Sequence, residues 1–284
     1  MNYIIHNGKL TKRETITIDM EDRGYQFGDG IYEVVRVYNG KLFAWEGHSS
    51  RLYASAQKIS ITIPYTLEQL QGFIEELISK NELITGTVYL QFTRGVSPRN
   101  HAFPGNEVLP TFIAYTKELE RPVSLMEKGV DTWVIEDKRW LHCDIKSLNL
   151  LGNILAYDQA MQQGCSEAIL NRGGIITEGS HTNVSIIVDG VLITHPANNL
   201  ILNGITRQIV LSLCEKCSVP IKEEAFTMEE LLNADEAFLT STTMEIMPIV
   251  KINGQAVGKG SFVTTRKLQE AFLTQIENEC GNLK

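Results

Sequence analysis

One lysine is distinguished by the residues around it. From Trp140 to Ala156 the formally charged residues are Asp144 and Lys146, and most of their neighbours are apolar. An amine kept away from water loses its proton more readily, and the free amine can attack a carbonyl carbon to form a Schiff base. These residues also fit a lysine that pairs with Asp144 or extends its amine to solvent, so both interpretations stay open.

Two short segments could bind a phosphate group. Asn203-Gly204-Ile205-Thr206-Arg207 is a turn that leads into a predicted helix, and helix N-termini present free backbone N–H groups to anions. Thr240-Ser241-Thr242-Thr243 offers four hydroxyl groups after a predicted strand. The alternatives are an ordinary helix start after Asn-Gly and a loop whose hydroxyls bond its own backbone.

Charged residues at two other places could contact a ligand. The loop around Arg99 and His101 contains guanidinium groups, which suit bidentate binding of carboxylates, but taken alone the loop fits a solvated basic surface slightly better. Glu178 ends a predicted hairpin strand, where a surface carboxylate is the ordinary interpretation. Gly28-Asp29-Gly30 resembles part of a dinucleotide-binding loop, but it precedes a strand instead of a helix, so that motif fails.

Composition argues against several classes of protein. The chain has 284 residues, of which 43% are hydrophobic and 21% charged, as in globular proteins with a sizeable core. The formal net charge of -8 argues against a nucleic-acid partner. No apolar run approaches the roughly 20 residues that cross a bilayer. An odd number of irregularly spaced cysteines and the lack of a signal peptide predict a cytoplasmic protein.

Two of the cysteines, Cys214 and Cys217, form a C-x-x-C pair. No second ligand pair follows at zinc-site spacing, and the pair lies in an apolar, helical pattern. We therefore expect both thiols to pack as small apolar groups, with no metal site.

Strand and helix patterns mix without regular alternation, which predicts an α+β fold. Strands are expected at 31–38, before a hairpin turn at Asn39-Gly40, and at 88–92 and 111–115. Capping boxes at Thr66 and Thr227 predict two helices. Further hairpins should turn at 171–174 and 189–190, and helices should begin near Arg207 and Thr265.

The helix predicted from Asn149 to Gln163 is amphipathic, and we expect one apolar face to point inward. That face comprises Leu150, Leu151, Ile154 and Leu155. A charged, proline-containing stretch at 117–122 is typical of a domain boundary. The predicted divisions are an N-terminal α/β domain over 1–118, a linker and start of the second domain over 119–132, and a C-terminal domain over 133–284.

Seven segments in order along nearly the whole chain resemble the fold type IV pyridoxal phosphate enzymes, and closely the bacterial D-amino acid aminotransferases. They are Glu21-Asp22-Arg23-Gly24-Tyr25-Gln26-Phe27-Gly28-Asp29-Gly30, Arg51-Leu52-Tyr53-Ala54-Ser55-Ala56, the loop from Arg99 to His101, Cys143-Asp144-Ile145-Lys146-Ser147-Leu148-Asn149, Thr177-Glu178-Gly179-Ser180, Asn203-Gly204-Ile205-Thr206-Arg207 and Ser241-Thr242-Thr243. The resemblance implies a smaller N-terminal α/β domain and a larger C-terminal pseudo-barrel domain that binds pyridoxal 5'-phosphate.

The resemblance also implies a role for each matching residue. Lys146 forms the Schiff base with the cofactor and moves the Cα proton, and Glu178 pairs with the pyridine nitrogen. The residues that bind the cofactor phosphate are Arg51, Ile205, Thr206 and Thr242. Leu202 packs on the face of the cofactor ring. The trap for the substrate α-carboxylate comprises Tyr32, Arg99 and His101. Because the family supplies the last two residues from the partner subunit, the resemblance implies a homodimer.

The implied activity is reversible amino-group transfer between a D-amino acid such as D-alanine and a 2-oxo acid, 2-oxoglutarate or pyruvate. Within the same fold the alternatives are a branched-chain L-amino acid aminotransferase and an aminodeoxychorismate lyase. Two alternatives lie outside this group of enzymes. One is a cofactor-binding or regulatory protein without turnover, and the other is a class I aldolase. The sequence departs from close relatives at His142, usually arginine, and at His181, usually a small hydroxyl residue, and we expect His181 to alter substrate range or pH dependence.

Overall fold

The computed structural model describes residues 2–258 and 260–283, which divide into two compact units. Unit 1 comprises residues 1–120, 145–149 and 276–284, and unit 2 comprises residues 121–144 and 150–275. The sequence boundary at 117–122 lies where the chain first passes from unit 1 to unit 2. Two segments assigned to the second domain by sequence, 145–149 and 276–284, pack in unit 1. Their local composition carries no sign of this, because they return to unit 1 through long-range contacts.

Unit 1 is built on a six-stranded antiparallel sheet in the order β2-β1-β6-β5-β3-β4. Its strands are β1 (Tyr3–His6), β2 (Lys9–Lys12), β3 (Gly30–Tyr38), β4 (Lys41–Leu42), β5 (Gly86–Thr93) and β6 (Thr111–Glu118). Its helices are α1 (Arg23–Phe27), α2 (Trp45–Lys58) and α3 (Leu67–Lys80), with a short 3-10 turn at Arg13–Thr15. The strands and the hairpin at Asn39-Gly40 confirm the prediction for this region.

Alternation along β3 sends neighbouring residues to opposite faces of the sheet. Ile31, Val35 and Val37 are fully buried in a core with Leu52 of α2 and residues of α3. Glu33 has the same parity as these residues, so its side chain also faces α2. Tyr32 has the opposite parity, and its ring stacks on Tyr89 across β5, with 5.6 Å between ring centroids.

The segment 145–149 is fixed along β3 by main-chain hydrogen bonds. The Tyr32 amide donates to the Lys146 carbonyl at 3.0 Å, and the Leu148 amide donates to the Gly30 carbonyl at 3.0 Å. The Lys146 amide donates to Oγ of Ser55 on α2 at 3.2 Å. These bonds fix the backbone position from which the Lys146 side chain extends.

Unit 2 contains a mixed ten-stranded sheet in the order β12-β11-β10-β14-β15-β7-β8-β9-β13, with β16 paired to β15. Its strands are β7 (Val130–Glu136), β8 (Glu167–Arg172), β9 (Ile175–Gly179), β10 (Asn183–Val188), β11 (Val191–Thr194), β12 (Ile221–Glu223), β13 (Phe226–Thr227), β14 (Glu236–Ser241), β15 (Glu245–Ile252) and β16 (Gln255–Ala256). Its helices are α4 (Val123–Lys128), α5 (Leu151–Gln162), α6 (Ile205–Lys216), α7 (Met228–Asn233) and α8 (Val263–Cys280), whose last residues belong to unit 1. Strands and helices mix irregularly, which confirms the α+β prediction.

Local signals in the sequence located most boundaries correctly. Both predicted capping boxes form. The side chains of Thr66 and Thr227 accept from the backbone amides of Gln69 and Glu230, and the side chains of Gln69 and Glu230 accept from the backbone amides of the two threonines. The hairpins at 171–174 and 189–190 join β8 to β9 and β10 to β11. None of the described helices is both long enough and apolar enough to cross a membrane.

The predicted burial of α5 was wrong. Leu151, Ile154 and Leu155 are 70%, 58% and 55% exposed, whereas the small residues Ala156 and Ala160 are buried against the sheet. The prediction assumed that the larger apolar side chains face the core. In this helix small residues allow close packing on the sheet, and the larger side chains form an apolar outer face.

Candidate active site

Lys146 lies beside a tyrosine in unit 1. Its Nζ is 4.2 Å from the centre of the Tyr32 ring, and its side chain is half-buried. The ring face attracts a cation, and the tyrosine hydroxyl is a polar group within reach of a bound ligand. Two of the predicted site residues, Lys146 and Tyr32, are thus in contact in unit 1.

Arg51 lies on α2 and binds a buried carboxylate on β3. Its Nε donates to Oε1 of Glu33 at 2.7 Å, and Nη2 donates to Oε2 at 2.9 Å. His48 Nδ1 lies 2.8 Å from the same Oε2. Burial alone would raise the pKa of Glu33, but Arg51 and His48 hold it well below its usual range. The carboxylate therefore stays charged and fixes the guanidinium.

The second pair of predicted carboxylate-binding residues lies in an exposed loop of unit 1. Arg99 and His101 both contact Phe27, at the end of α1. The Arg99 guanidinium carbon is 4.4 Å from the ring centroid, and the His101 ring centroid is 5.6 Å from it. The two side chains are therefore brought together by one aromatic ring.

Glu178 in unit 2 is buried and bonded on both oxygens. Arg139 Nη1 donates to Oε1 at 2.5 Å, and Oε2 accepts from the Leu202 amide and from Nδ2 of Asn183, each at 3.0 Å. Burial raises the pKa of Glu178 to about 7, although Arg139 lowers it. Arg139 is shared with the buried Asp137, so two carboxylates compete for one guanidinium. A further cation beside Glu178 would be stabilised by this arrangement.

The predicted phosphate seat begins α6. Gly204 is the N-cap residue and provides no side-chain cap, so Ile205 and Thr206 begin a helix whose first N–H groups lack intrahelical partners. A Cβ on Gly204 would meet Oδ1 of Asn183, so a larger residue there would displace this side chain. Asn183 Nδ2 also donates to the Leu202 carbonyl at 2.8 Å. Asn183 thus bonds Glu178 and Leu202 and lies beside Gly204, the N-cap of α6.

The second predicted phosphate segment comprises the last two residues of β14 and the turn after it. The Thr240 hydroxyl is buried without a hydrogen-bond partner among the described residues, and Thr242 lies half-buried in the turn before β15. The Met244 amide donates to Oγ of Ser241 at 3.2 Å, so part of this turn does bond its own backbone. An orphaned buried hydroxyl is unusual and points to a missing polar partner.

Sequence reasoning missed four residues that fix predicted site residues within their own unit. They are Glu33 and His48 in unit 1, and Arg139 and Asn183 in unit 2. Arg139 was one position outside the apolar window that singled out Lys146. Glu33, His48 and Asn183 form hydrogen bonds with residues that are distant in the sequence or lie in a turn. No spacing pattern in the sequence connects these residues to their hydrogen-bond partners.

Comparison with known proteins decides the family. The family described as amino-transferase class IV matches residues 30–252. This chain belongs to that family. It is 50% identical over 284 residues to a D-alanine aminotransferase of Listeria monocytogenes, with 99% of this chain and 98% of the relative covered. A D-alanine aminotransferase of Staphylococcus epidermidis is 47% identical, with 98% and 99% covered.

Solved structures confirm the fold of this class IV aminotransferase. A branched-chain aminotransferase of Thermoproteus uzoniensis with norvaline superposes with a TM-score of 0.88 at 27% identity, covering 98% of this chain and 95% of the other. The branched-chain amino acid aminotransferase of Escherichia coli gives a TM-score of 0.91 at 24% identity, covering 100% and 96%. The predicted fold type IV architecture is therefore confirmed, with a small antiparallel-sheet domain and a larger half-barrel domain.

Proposed function

We propose that this class IV aminotransferase is a pyridoxal phosphate-dependent D-amino acid transaminase. It moves an amino group between a D-alanine-like amino acid and a 2-oxo acid such as 2-oxoglutarate or pyruvate. The observation that carries the proposal is the position of Lys146 beside Tyr32, in a chain that is half identical to D-alanine aminotransferases over its full length. The branched-chain enzymes share the fold at lower identity.

The residues present fit pyridoxal phosphate. The uncapped N-terminus of α6 and the orphaned Thr240 hydroxyl suit a phosphate group, and buried Glu178 with its raised pKa suits a cationic ring nitrogen. When bound, the cofactor supplies a carbonyl carbon for amines and a ring that withdraws electrons from Cα. Arg51, Ile205, Thr206 and Thr242 would hold its phosphate, and Leu202 would pack on its ring.

Lys146 carries the chemistry in this proposal. Its amine would hold the cofactor through the carbonyl carbon and, once free, would take the proton from the substrate Cα as general base. Glu178 would support this step because its carboxylate would pair with a protonated ring nitrogen. Lys146 would later give up the proton it took, so its amine would be unchanged after the transfer.

Enantiomer choice would depend on the position of the carboxylate trap. With Lys146 fixed, exchanging the places of carboxylate and side chain inverts the enantiomer whose Cα–H faces the base. In the proposal the substrate carboxylate is bound by Tyr32, Arg99 and His101. The presence of all three residues in this chain favours D-amino acids. Lys146 itself does not select the enantiomer.

The proposed active unit is a homodimer in which Arg99 and His101 serve the partner's site. The exposed apolar face of α5 supports an interface, because patches of this kind on a folded chain usually contact another surface. This face comprises Leu151, Ile154, Leu155, Tyr157 and Met161. The odd number of irregularly spaced cysteines supports a cytoplasmic location.

A two-substrate assay tests the proposal. Purified enzyme with D-alanine and 2-oxoglutarate should form pyruvate and D-glutamate, with the product enantiomer determined by chiral chromatography. Lys146→Ala should lower kcat by at least about 10³-fold, because it removes both the covalent anchor and the proton carrier. Product from L-leucine alone would support a branched-chain enzyme instead, and pyruvate release from aminodeoxychorismate without an acceptor would support a lyase.

A further inference from the structure

Asp29, between two glycines at the end of α1, is the centre of a mostly buried ion cluster. Its Oδ2 accepts from Nε of Arg23 and from Nε of Arg94, each at 2.8 Å, and its Oδ1 accepts from Nη2 of Arg94 at 2.9 Å. The three side chains are 11%, 3% and 9% exposed. Gly28 before it has a φ of 65°, which favours glycine and turns the chain so that Asp29 points inward.

The cluster connects to the loop that carries Arg99 and His101. Nη1 of Arg23 donates to the carbonyl oxygens of Asn100 at 2.6 Å and of Ala102 at 3.4 Å. These two carbonyls flank His101 in the chain. A buried guanidinium therefore holds the backbone on both sides of one predicted carboxylate-binding residue.

Two phenylalanine rings extend the connection. The Phe27 ring lies 4.8 Å from the Arg23 guanidinium carbon and 4.4 Å from that of Arg99. The Phe103 ring lies 3.6 Å from the Arg94 guanidinium carbon, although Phe103 is 61% exposed. Both arginines of the cluster thus contact an aromatic ring belonging to the loop or packed against it.

The other side of the cluster is fixed to rigid structure. Arg94 follows β5 and donates to the carbonyls of Ile59 at 2.7 Å and Ser60 at 3.0 Å, just after α2. Residues 97–110 contain no helix or strand. Because Asp29 joins Arg94 to Arg23, it connects the end of α2 to a loop that lacks secondary structure of its own.

We infer that Asp29 is a positioning residue that, through Arg23 and Arg94, orders the loop bearing Arg99 and His101 and so sets affinity for the substrate α-carboxylate. The inference rests on the proposed function, because it assigns the loop to carboxylate binding. Without the carboxylate the two guanidinium groups repel each other, and Arg23 loses the anion that aims it at the loop carbonyls. Substrate binding must then order two side chains and their backbone.

The test compares holoenzyme carrying Asp29→Asn with wild type. Loss of loop order should raise KM for D-alanine and 2-oxoglutarate about tenfold with kcat changed by less than about threefold, because Lys146 keeps its own contacts. A second readout is trypsin cleavage after Arg99, identified by mass spectrometry of the two fragments. Cleavage should be faster in the variant, and this readout does not depend on activity.

A matched control is Glu236→Gln, which removes another buried carboxylate that accepts from the Thr264 and Thr265 amides at the start of α8. It should lower stability without changing KM or cleavage at Arg99. Equal effects of the two variants, or an unchanged KM in Asp29→Asn, would overturn the inference. An inactive wild-type enzyme would overturn the proposed function instead, and the cleavage comparison would still test the cluster.

If Asp29→Asn does not fold, Phe103→Leu replaces it as the test. This exposed side chain can change without loss of the core, and its removal takes away the ring beside Arg94. The variant should show the same increase in KM and in cleavage at Arg99, on a smaller scale. Unchanged values of both in a folded Phe103→Leu enzyme would overturn the inference.

Discussion

Glu33 and Arg51 form a bidentate ion pair between β3 and α2, with 2.7 Å and 2.9 Å between the paired atoms. Only 1% of the Glu33 side chain is exposed. The pair fixes the arginine proposed to bind the cofactor phosphate before any cofactor is present. Preorganised charge of this kind binds an anion without reordering a flexible side chain.

Replacing Glu33 should weaken cofactor binding and the fold together. In Glu33→Gln one buried charge loses its partner, and we expect the free energy of unfolding to fall by about 3 kcal/mol. Titration of the cofactor-free protein with pyridoxal phosphate should give a higher Kd, while urea unfolding measures the stability. Glu76→Gln, on the exposed side of α3, is the control and should change neither value. An unaltered cofactor Kd in Glu33→Gln would show that Arg51 needs no partner.

Stability of the cofactor-free protein should depend on pH through Glu178. Its pKa is raised from 4.5 to about 7 in the fold, so its contribution is fully present below pH 4.5 and is lost as pH rises through 7. The unfolding free energy of wild type relative to Glu178→Gln should therefore fall by roughly 3 kcal/mol between pH 5 and pH 8. Urea unfolding at several pH values measures this difference. Parallel curves for the two proteins would contradict the raised pKa.

The apolar face of α5 should be required for the proposed homodimer. Ile154→Asp places a charge in the middle of this face, where burial against a second copy would cost several kcal/mol. We expect sedimentation velocity to show wild-type dimers and Ile154→Asp monomers with low activity. Gln159→Asp changes an exposed polar residue of the same helix and should leave the dimer intact. A dimeric Ile154→Asp protein would place the interface elsewhere.

His181 should affect the response of unit 2 to acid. Its Nδ1 lies 2.9 Å from Oε2 of the buried Glu167, which also accepts from the Ser180 and Thr182 hydroxyls. Burial would raise the pKa of Glu167, but His181 and these bonds lower it overall. A lowered pKa stabilises the fold above the ordinary value of the carboxyl, and this stability is lost as pH falls through the folded value.

His181→Ser removes one of these stabilising contacts, so acid unfolding should begin at a higher pH. Because His181 is nearly half exposed, we expect at most about 1 kcal/mol. Circular dichroism during acid titration measures the midpoint, and kcat/KM profiles over pH test the effect on catalysis. Coincident midpoints and superimposable profiles would show that His181 has no such role.

Local patterns predicted the elements but not the contacts that order the site. Capping boxes at Thr66 and Thr227 located helix starts, since both partners of each bond lie within four residues. The Glu33–Arg51 pair joins a strand to a helix 18 residues on, and Arg23 reaches a loop 77 residues on. Such contacts depend on the tertiary fold, so no sequence spacing could identify them.

Helical spacing alone did not identify the buried face of α5. Large apolar residues have the same spacing in a core and on an exposed face, and here Leu151, Ile154 and Leu155 are exposed. Gly28-Asp29-Gly30 precedes β3, as the sequence indicates, but its spacing did not predict that Asp29 is the centre of an ion cluster. In both cases the contacts depend on the tertiary fold.

The most direct test of the proposed function is a half-reaction with one amino acid and no acceptor. Holoenzyme is mixed with D-alanine or with L-alanine, and the cofactor absorbance is followed as it changes to that of pyridoxamine phosphate. We expect complete conversion with D-alanine and little with L-alanine, because the proposed carboxylate trap would present only the D-enantiomer's Cα–H to Lys146. Conversion by L-alanine alone would contradict the D assignment, and no conversion with either enantiomer would contradict transamination of alanine.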